Sequence, residues 1–583
     1  MKLMEQRTSA IIYNEQSDID QDVIDKVYND VTANKADAVE TINLFDEHLI
    51  KAAVKKLKTD KVDVSGQFTS DCLKSAPDIF FSQLAALFRS FLTHGYISQD
   101  LIVCALYPIV KDPNGDISTS KNYRGIAISS LVLKILDNCI LLLFGDLLSN
   151  DALQLGFQKG CSTVQCTWAV QETISHYLQG GSEVFCCLLD FSKAFDKVNF
   201  AQLFDKLVER RIPAVVLRLI LFIYLHQVCF IRWNSVDSCP FRVKNGVRQG
   251  AILSPSLFCV YLDSLFNKLR EAGIGCHLAG TYLGAYGYAD DVTLLAPTRE
   301  GLQRMLNICE EFAESHSMIF STDPNPSKSK SKCLFFSRSR TADKIHPVKL
   351  NGNCLPWVST AKHLGNHLSS ILSVSPYSPE TRTDLLRKRA ILFDKIHQVQ
   401  QQFGQYEPQL VLQLLSIYST ALYGSPLWQL YSEEHQKLNR SWNTAVKIIW
   451  NLPYATHTRF LEDLCPVQHL EHVLISRYIG FIQNLTKSSK GILRLIFGSC
   501  MSNQSSVTGK NLQYLFTKFQ IQSVHQLFGL KSKIRGMKVY ALPPDENWKV
   551  KLITEIALQK KNHLEIDFDQ EDLSFILDFI CCK

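Results

Sequence analysis

The sequence predicts an α+β fold, and three observations carry that reading. Two short apolar stretches that carry acids, Val184–Asp190 with one at its end and Ala285–Ala296 with a pair in its middle, read as strands. Helical spacing separates them, as in the apolar stripe Leu257, Phe258, Tyr261, Leu262, Leu265 and Leu269. From Thr381 onward the pattern is mostly helical, with segments at Leu385–Gln401, Gln409–Tyr423 and Glu434–Trp450.

The chain has 583 residues, enough for three or four domains or one large core with appendages. At 46% hydrophobic and 20% charged it belongs to the folded rather than the disordered class. A net charge of +6 permits nucleic-acid binding through local basic grooves without requiring it. The first residues lack the apolar core of a signal peptide. The 18 cysteines show no zinc spacing and are expected as free thiols in a reducing, intracellular compartment, cytoplasm or nucleus. Leu131–Leu148 and Ala214–Ile231 are apolar but interrupted by Lys134, Asp137, Asp146 and Arg218. They read as buried helices, with no membrane partner.

In chain order, residues 1–48 are polar and acidic and read as a linker or remnant. Helices follow at Leu49–Leu57 and Ile79–Leu92, the latter with Leu84, Leu87, Phe88 and Phe91 on one face. Lysines 51, 55, 56, 58 and 61 are either a solvated face or phosphate contacts. A β-rich run carrying Lys111 ends in Pro113-Asn-Gly115, and Arg124 lies on the return. Ser162 or Thr163 caps a helix running to about Leu178, which Gly180-Gly181 breaks. Asn199 caps the next, which Pro213 ends. Phe241–Gly250 combines a strand, an Asn-Gly turn and a basic loop, and Ser254 is expected as the cap of the helix beginning at Pro255. A helix at Arg299–His316, a basic loop to Lys332, a strand at Cys333–Phe336 and one hairpin over about Val348–Leu368 come next. Residues 499–515 read as a polar break, and the tail from Glu565 is acidic.

The acids carry the chemistry. Asp290 and Asp291 sit between two apolar runs in Ala285–Ala296, as a strand, a tight turn and a strand. Like charges this close repel unless a cation lies between them. Asp190, at the end of the other strand, supplies a third carboxylate. Three carboxylates suit a pair of hard divalent ions, the arrangement used for phosphoryl transfer of the nucleotide type. Each aspartate alone at a turn or strand end would be structural; the combination with a glycine-rich basic loop points to chemistry.

The ordered set of motifs is similar to the reverse transcriptases of non-LTR (LINE-type, jockey-like) retrotransposons. Pro108-Ile-Val-Lys111, Asn122-Tyr-Arg-Gly-Ile126, Leu189-Asp-Phe-Ser-Lys-Ala-Phe-Asp196, Asn245–Pro255, Tyr288-Ala-Asp-Asp291, Asn325-Pro-Ser-Lys-Ser-Lys330 and Lys362-His-Leu-Gly365 occur in family order. The resemblance spans about residues 91–370. It implies a right-hand polymerase architecture of fingers, a palm with an antiparallel sheet, and a thumb, followed by a mostly helical C-terminal region. Its boundaries would be 1–48 for the linker, 49–90 for a helical extension of the fingers, 91–370 for fingers and palm, and 371–583 for thumb and C-terminal helices. It implies RNA-directed DNA synthesis with RNA template, DNA primer and dNTPs as partners. Two Mg²⁺ ions, with Mn²⁺ as a substitute, would be held by Asp190, Asp290 and Asp291.

Residue by residue, the resemblance places Lys111 and Arg124 at the triphosphate and Phe195 under the nucleotide sugar, where it excludes a 2′-hydroxyl. Otherwise Phe195 is a core aromatic. Gln249 and Gly250 would lie along the new base pair. Lys330 is the candidate proton donor to pyrophosphate, in a register shared with lysines 328 and 332. His363, Leu364 and Gly365 would support the primer. The family usually carries an endonuclease ahead of the polymerase, and no room for one is visible, so a truncated or partial copy is expected. The alternatives are a relic or a maturase-like relative that acts only by binding RNA.

Overall fold

In the computed structural model, the described residues are 21–113, 115–325, 328–338, 345–370, 382–418, 421–461, 465 and 468–536. The strands in chain order are β1 (Cys104–Val110), β2 (Tyr123–Ser129), β3 (Val184–Asp190), β4 (Val228–Trp233), β5 (Val236–Asp237), β6 (Phe241–Arg242), β7 (His277–Leu278), β8 (Thr281–Tyr282), β9 (Ala285–Tyr288), β10 (Asp291–Ala296), β11 (Lys332–Phe336), β12 (Lys349–Leu350), β13 (Asn353–Cys354), β14 (Thr360–His363) and β15 (Asn366–Ser369). Helices lie between several of these strands, and beyond β15 the described chain carries helices and connecting turns but no strand, so the fold is α+β with a helical C-terminal region.

The chain divides into two compact units. The first is residues 1–161, 186–333 and 346–356; the second is 162–185, 334–345 and 357–583. The first holds a sheet of order β2-β1-β4-β5 with β6 on β4, in which β1 runs antiparallel to β2 and parallel to β4. A second sheet has the order β11-β3-β10-β9, which puts β3 in an interior position. That position explains its unbroken apolar run: Val184, Cys186, Cys187 and Leu189 are all 2% exposed or less, on both faces of the strand. The expected stripe Leu257, Phe258, Tyr261, Leu262, Leu265 and Leu269 is buried on the helix Ser254–Glu271.

The second unit is organised around the helix Thr163–Gln179. Ser162 caps it, and Gln165 completes a capping box. The buried Glu172 of this helix accepts hydrogen bonds from the Thr508 hydroxyl at 2.6 Å and the Thr508 amide at 3.2 Å, and from the Cys500 thiol. Trp168 donates to the same Thr508 hydroxyl. Among the described residues no helix is long and apolar enough to cross a membrane.

Several expectations change. The stretch read as a linker forms the helices Gln21–Ala33 and Lys35–Asn43 from residue 21 onward. Val27 and Phe45 are fully buried there, and such anchors suffice once a neighbouring helix covers them. Leu87 is 41% exposed because the packed stripe follows Leu84, Phe88 and Phe91, one flank away. The helix at 254 starts with Ser254 as its first residue and no side-chain cap of its own. Instead the Asp137 carboxylate, from another helix, accepts from the Ile252 and Leu253 amides. The hairpin expected over 348–368 is two, β12–β13 and β14–β15. The polar break at 499–515 shrinks to 503–506 between the helices Gly491–Ser502 and Val507–Phe519; Ser506 caps the second. The acidic tail lies outside the described residues.

Burial holds the Glu172 carboxyl above its ordinary value, against the hydrogen bonds from Thr508 and Cys500. A carboxyl raised in the fold loses stability as pH climbs from its unfolded pKa toward its folded one. Glu172→Gln, measured against the parent by denaturant unfolding, should therefore gain relative stability as pH is raised above about 4.5. A difference that is flat with pH would show that Glu172 titrates normally.

Candidate active site

β9 and β10 pair antiparallel with Asp291 opposite Tyr288, so Ala289 and Asp290 form the tip between them. Ala289 sits there with φ of 58°, a left-handed conformation that costs a non-glycine residue energy. Asp190 ends β3 next to β10. Its backbone is fixed on two sides: its carbonyl accepts from the Ser321 amide at 2.7 Å, and its amide donates to the buried Ser331 hydroxyl at 3.3 Å. The three predicted carboxylates are thereby brought together. Burial raises the Asp290 carboxyl, and the Asp190 charge adds to the rise. Burial and the charges of Asp290 and Asp190 push Asp291 up to about 7.

Cations close the other side. Lys330 Nζ lies 3.7 Å from Asp190 Oδ2, which separates it from lysines 328 and 332 as the one at the acids. Arg124 and Lys330 both act on Asp290. Lys111 follows β1 and donates its amide to Asn122 across the β1–β2 hairpin. Partial desolvation lowers the Lys111 ammonium, and the charges of Lys330, Arg124 and Lys193 lower it further. Four basic side chains thus share one locale with three carboxylates.

The loop 245–250 borders this group. Gly246 and Gly250 have φ of 87° and 118°. A Cβ at Gly246 would fall 2.8 Å from the Phe195 carbonyl, and one at Gly250 would fall 2.6 Å from the Ala127 carbonyl, so both positions require glycine. Val247 donates to the Phe195 carbonyl, Ala127 donates to the Gln249 carbonyl, and the Gln249 side chain donates to Asp196. Phe195 is half-buried, stacked on Phe258 at 4.5 Å and edge-on to Phe157. It is therefore packed from below while keeping an exposed part.

In the second unit, Leu364 and Gly365 make the tight turn of β14–β15, with φ of 48° and 85°. The Tyr423 hydroxyl donates to the Leu364 carbonyl at 2.8 Å. His363 is 4% exposed and its Nδ1 lies 2.9 Å from the Thr167 hydroxyl; burial lowers it to about 4. Its imidazole is thus a buried neutral group, whereas Lys362 beside it is exposed.

The residues fit a hard divalent cation on one observation in particular. Asp190 Oδ2 is buried and accepts no hydrogen bond. Burial and then repulsion by neighbouring carboxylates raise Asp290 and Asp291, and a bound cation relieves the repulsion. Among the described residues no group of three or more His, Cys, Asp or Glu side chains is arranged to hold a metal ion by itself. An open carboxylate set suits an ion that keeps water and takes substrate phosphate oxygens.

The model of the reverse transcriptase (RNA-dependent DNA polymerase) family matches residues 110–368, which include every site residue the sequence predicts. Residues 110–368 are a reverse transcriptase domain. The chain is 27% identical over 227 residues to the Pol polyprotein of the type-1 retrotransposable element R2 of Nasonia vitripennis, covering 39% of this chain and 22% of that protein. It is 24% identical over 427 residues to a probable RNA-directed DNA polymerase from transposon BS of Drosophila melanogaster, covering 70% and 44%. It is 23% identical over 334 residues to the RNA-directed DNA polymerase from mobile element jockey of Drosophila funebris, covering 54% and 34%. The chain thus spans less than half the length of these relatives. These homologues are polymerases of non-LTR retrotransposons, as the motif order implied. Among solved structures, a Candida albicans telomerase aligns with a TM-score of 0.32 at 12% identity, covering 71% of this chain and 69% of that one. At that score the likeness carries no weight.

The domain also contains site residues that sequence reasoning passed over. Lys193, at φ of 53°, adds a fourth cation. Asp196 is raised by burial and held by Gln249 and by the charges of Lys193, Lys111 and Arg124. Both lie inside the quoted run Leu189–Asp196, so the signal was their neighbourhood to Asp190. Ser331 lay in a low-complexity Ser-Lys run and gave none.

In metal-free buffer, Asp291→Asn should stabilise the protein at pH 8 by about 1 kcal/mol, after allowing for solvent screening of a partly exposed group. The gain should shrink as pH falls through about 7 and be gone near 4, since over that range the folded parent carboxyl takes up a proton that the unfolded chain still lacks. Mg²⁺ should raise the parent melting temperature more at pH 8 than at pH 6, because protons compete with the ion. Thermal unfolding in EDTA and in Mg²⁺ measures all three.

Proposed function

We propose that the chain is an RNA-directed DNA polymerase that adds dNTPs to the 3′-hydroxyl of a DNA primer on an RNA template. The observation that carries this reading is the convergence of Asp190, Asp290 and Asp291 with Lys111, Arg124, Lys193 and Lys330 inside the reverse transcriptase domain.

Held by the three aspartates, two Mg²⁺ ions (Mn²⁺ as a substitute) would lower the pKa of the primer hydroxyl and neutralise the departing pyrophosphate. Lys111 and Arg124 hold the triphosphate, with Lys193 beside them, their fixed charge offsetting the negative charge that develops in transfer. Lys330 donates a proton to the leaving pyrophosphate; its exposed ammonium reaches solvent for reprotonation. Phe195, firm on Phe258, presents its free part to the nucleotide sugar. Gln249 and Gly250 border the nascent base pair, where the backbone approaches closely because residue 250 has no Cβ. The β14–β15 turn of His363, Leu364 and Gly365 supports the primer through backbone and Lys362, with the His363 imidazole buried behind it. In this reading 91–370 comprises fingers and palm, 371–583 thumb and C-terminal helices, 49–90 an extension of the fingers, and the chain acts inside the cell.

Purified protein should extend a DNA primer on a heteropolymeric RNA template with Mg²⁺ and dNTPs. RNA binding without any dNTP incorporation overturns the polymerase reading. Asp290→Ala should lower synthesis by more than about a thousandfold while primer–template affinity changes little. Phe195→Ala should reduce discrimination against ribonucleotides by about tenfold or more, read as the ratio of kcat/KM for dNTP and rNTP. Unchanged selectivity removes Phe195 from the sugar contact.

A further inference from the structure

The tip that presents Asp290 is held by a residue outside the acids and the basic cluster. Gln154 is 0% exposed and lies 135 residues before Ala289. Its Oε1 accepts from the Ala289 amide at 3.0 Å and from the Gly156 amide at 2.9 Å, and its Nε2 donates to the Ala289 carbonyl at 3.1 Å. These partners fix the orientation of the side-chain amide, since an inverted one would set two donors against two N–H groups.

The consequence for Asp290 is geometric. The Ala289 carbonyl and the Asp290 nitrogen belong to one planar peptide unit. A hydrogen bond to that carbonyl therefore sets the plane from which the Asp290 Cα departs. The bond to the Ala289 amide sets the preceding plane. Between them the two contacts hold φ of 58° at an alanine that would leave it if released.

The clamp is itself anchored. Leu155 donates to the Gly287 carbonyl at 2.8 Å and Gly287 to the Leu153 carbonyl at 2.9 Å, so 153–155 runs beside β9 as a short parallel bridge. Leu153 donates to the Asp151 carboxylate, which pairs with Arg270 of the helix Ser254–Glu271. The approach leaves no room for side chains: a Cβ at Gly156 would fall 2.2 Å from the Ala289 nitrogen, and one at Gly287 would fall 2.4 Å from Phe266 Cζ.

We propose that Gln154 is a positioning residue: by clamping both peptide groups of Ala289 it aims the Asp290 carboxylate for metal binding. The role rests on the polymerase reading for its catalytic consequence, but not for its effect on metal affinity. Gln154→Met keeps side-chain length and volume and removes all three hydrogen bonds. In titrations of the protein alone followed by electron paramagnetic resonance, this variant should bind Mn²⁺ about tenfold more weakly. In primer extension, its Mg²⁺ half-saturation should rise and its kcat fall by about 10- to 100-fold. The dNTP KM and the primer–template Kd should stay within about twofold of the parent, a split that general loss of structure would not produce. Gln154→Asn, one methylene shorter with the amide retained, covers the case in which the methionine variant does not fold, and should shift the same quantities in the same direction. A folded variant with parental Mn²⁺ affinity overturns the positioning role. Absence of extension by the parent chain, with the Mn²⁺ shifts intact, overturns the polymerase reading and leaves the role standing.

Discussion

Repulsion among carboxylates is the constraint around which the first unit is arranged. Burial raises the cost of ionising Asp290 and Asp291; the Asp190 charge adds to it at both, and the Asp290 charge adds to it at Asp291. Such an arrangement does not persist by default; a relaxed hairpin would swing the acids apart into water. Here the backbone denies that escape. β3 lies inside its sheet, the Ser321 amide and Ser331 hydroxyl pin the Asp190 peptide, and Gln154 pins the peptide before Asp290. The rigid frame stores unfavourable electrostatics that a divalent cation and a polyphosphate can discharge together.

The cations are arranged on complementary terms. Lys111 and Arg124 come from the β1–β2 hairpin, Lys193 from the turn after β3, and Lys330 from the loop before β11. Partial desolvation lowers the Lys111 ammonium, and the charges of Lys330, Arg124 and Lys193 lower it further. Lys330 Nζ lies 3.7 Å from Asp190 Oδ2. Opposite charges held near but apart leave room for a substrate that carries the reverse pattern: phosphates toward the lysines, bridged to the carboxylates. The loop 245–250 closes this space because its two glycines let backbone pack against backbone at Phe195 and Ala127.

The second unit follows a different logic, that of satisfied burial. Glu172, Thr508, Trp168 and Cys500 bond one another, and His363 bonds Thr167. The histidine illustrates how a motif can mislead at the level of the side chain. Its place in Lys362-His-Leu-Gly365 suggested a surface contact, but alternation along β14 turns it inward and leaves Lys362 outside. The exposed side chain at this end of β14 is therefore Lys362, not the imidazole.

The sequence by itself determined the elements whose signals are local. A doubly buried strand reads as a continuous apolar run, an amphipathic helix as a periodic stripe, and the tight turn at Ala289-Asp290 as an acid pair between apolar segments. β3, the helix Ser254–Glu271 and the β9–β10 hairpin were legible for that reason, as was the family-like order of motifs. Only the tertiary structure decided matters that depend on distant partners. Lysines 328, 330 and 332 are equivalent in sequence, and the fold alone takes Lys330 to Asp190. The start of the helix at 254 is set by Asp137 from another helix rather than by the neighbouring serine. Residues 21–45 pack as helices because other elements cover Val27 and Phe45. Gln154 carries no local signal, since a glutamine between leucines acquires its function only from the peptide it meets 135 residues away.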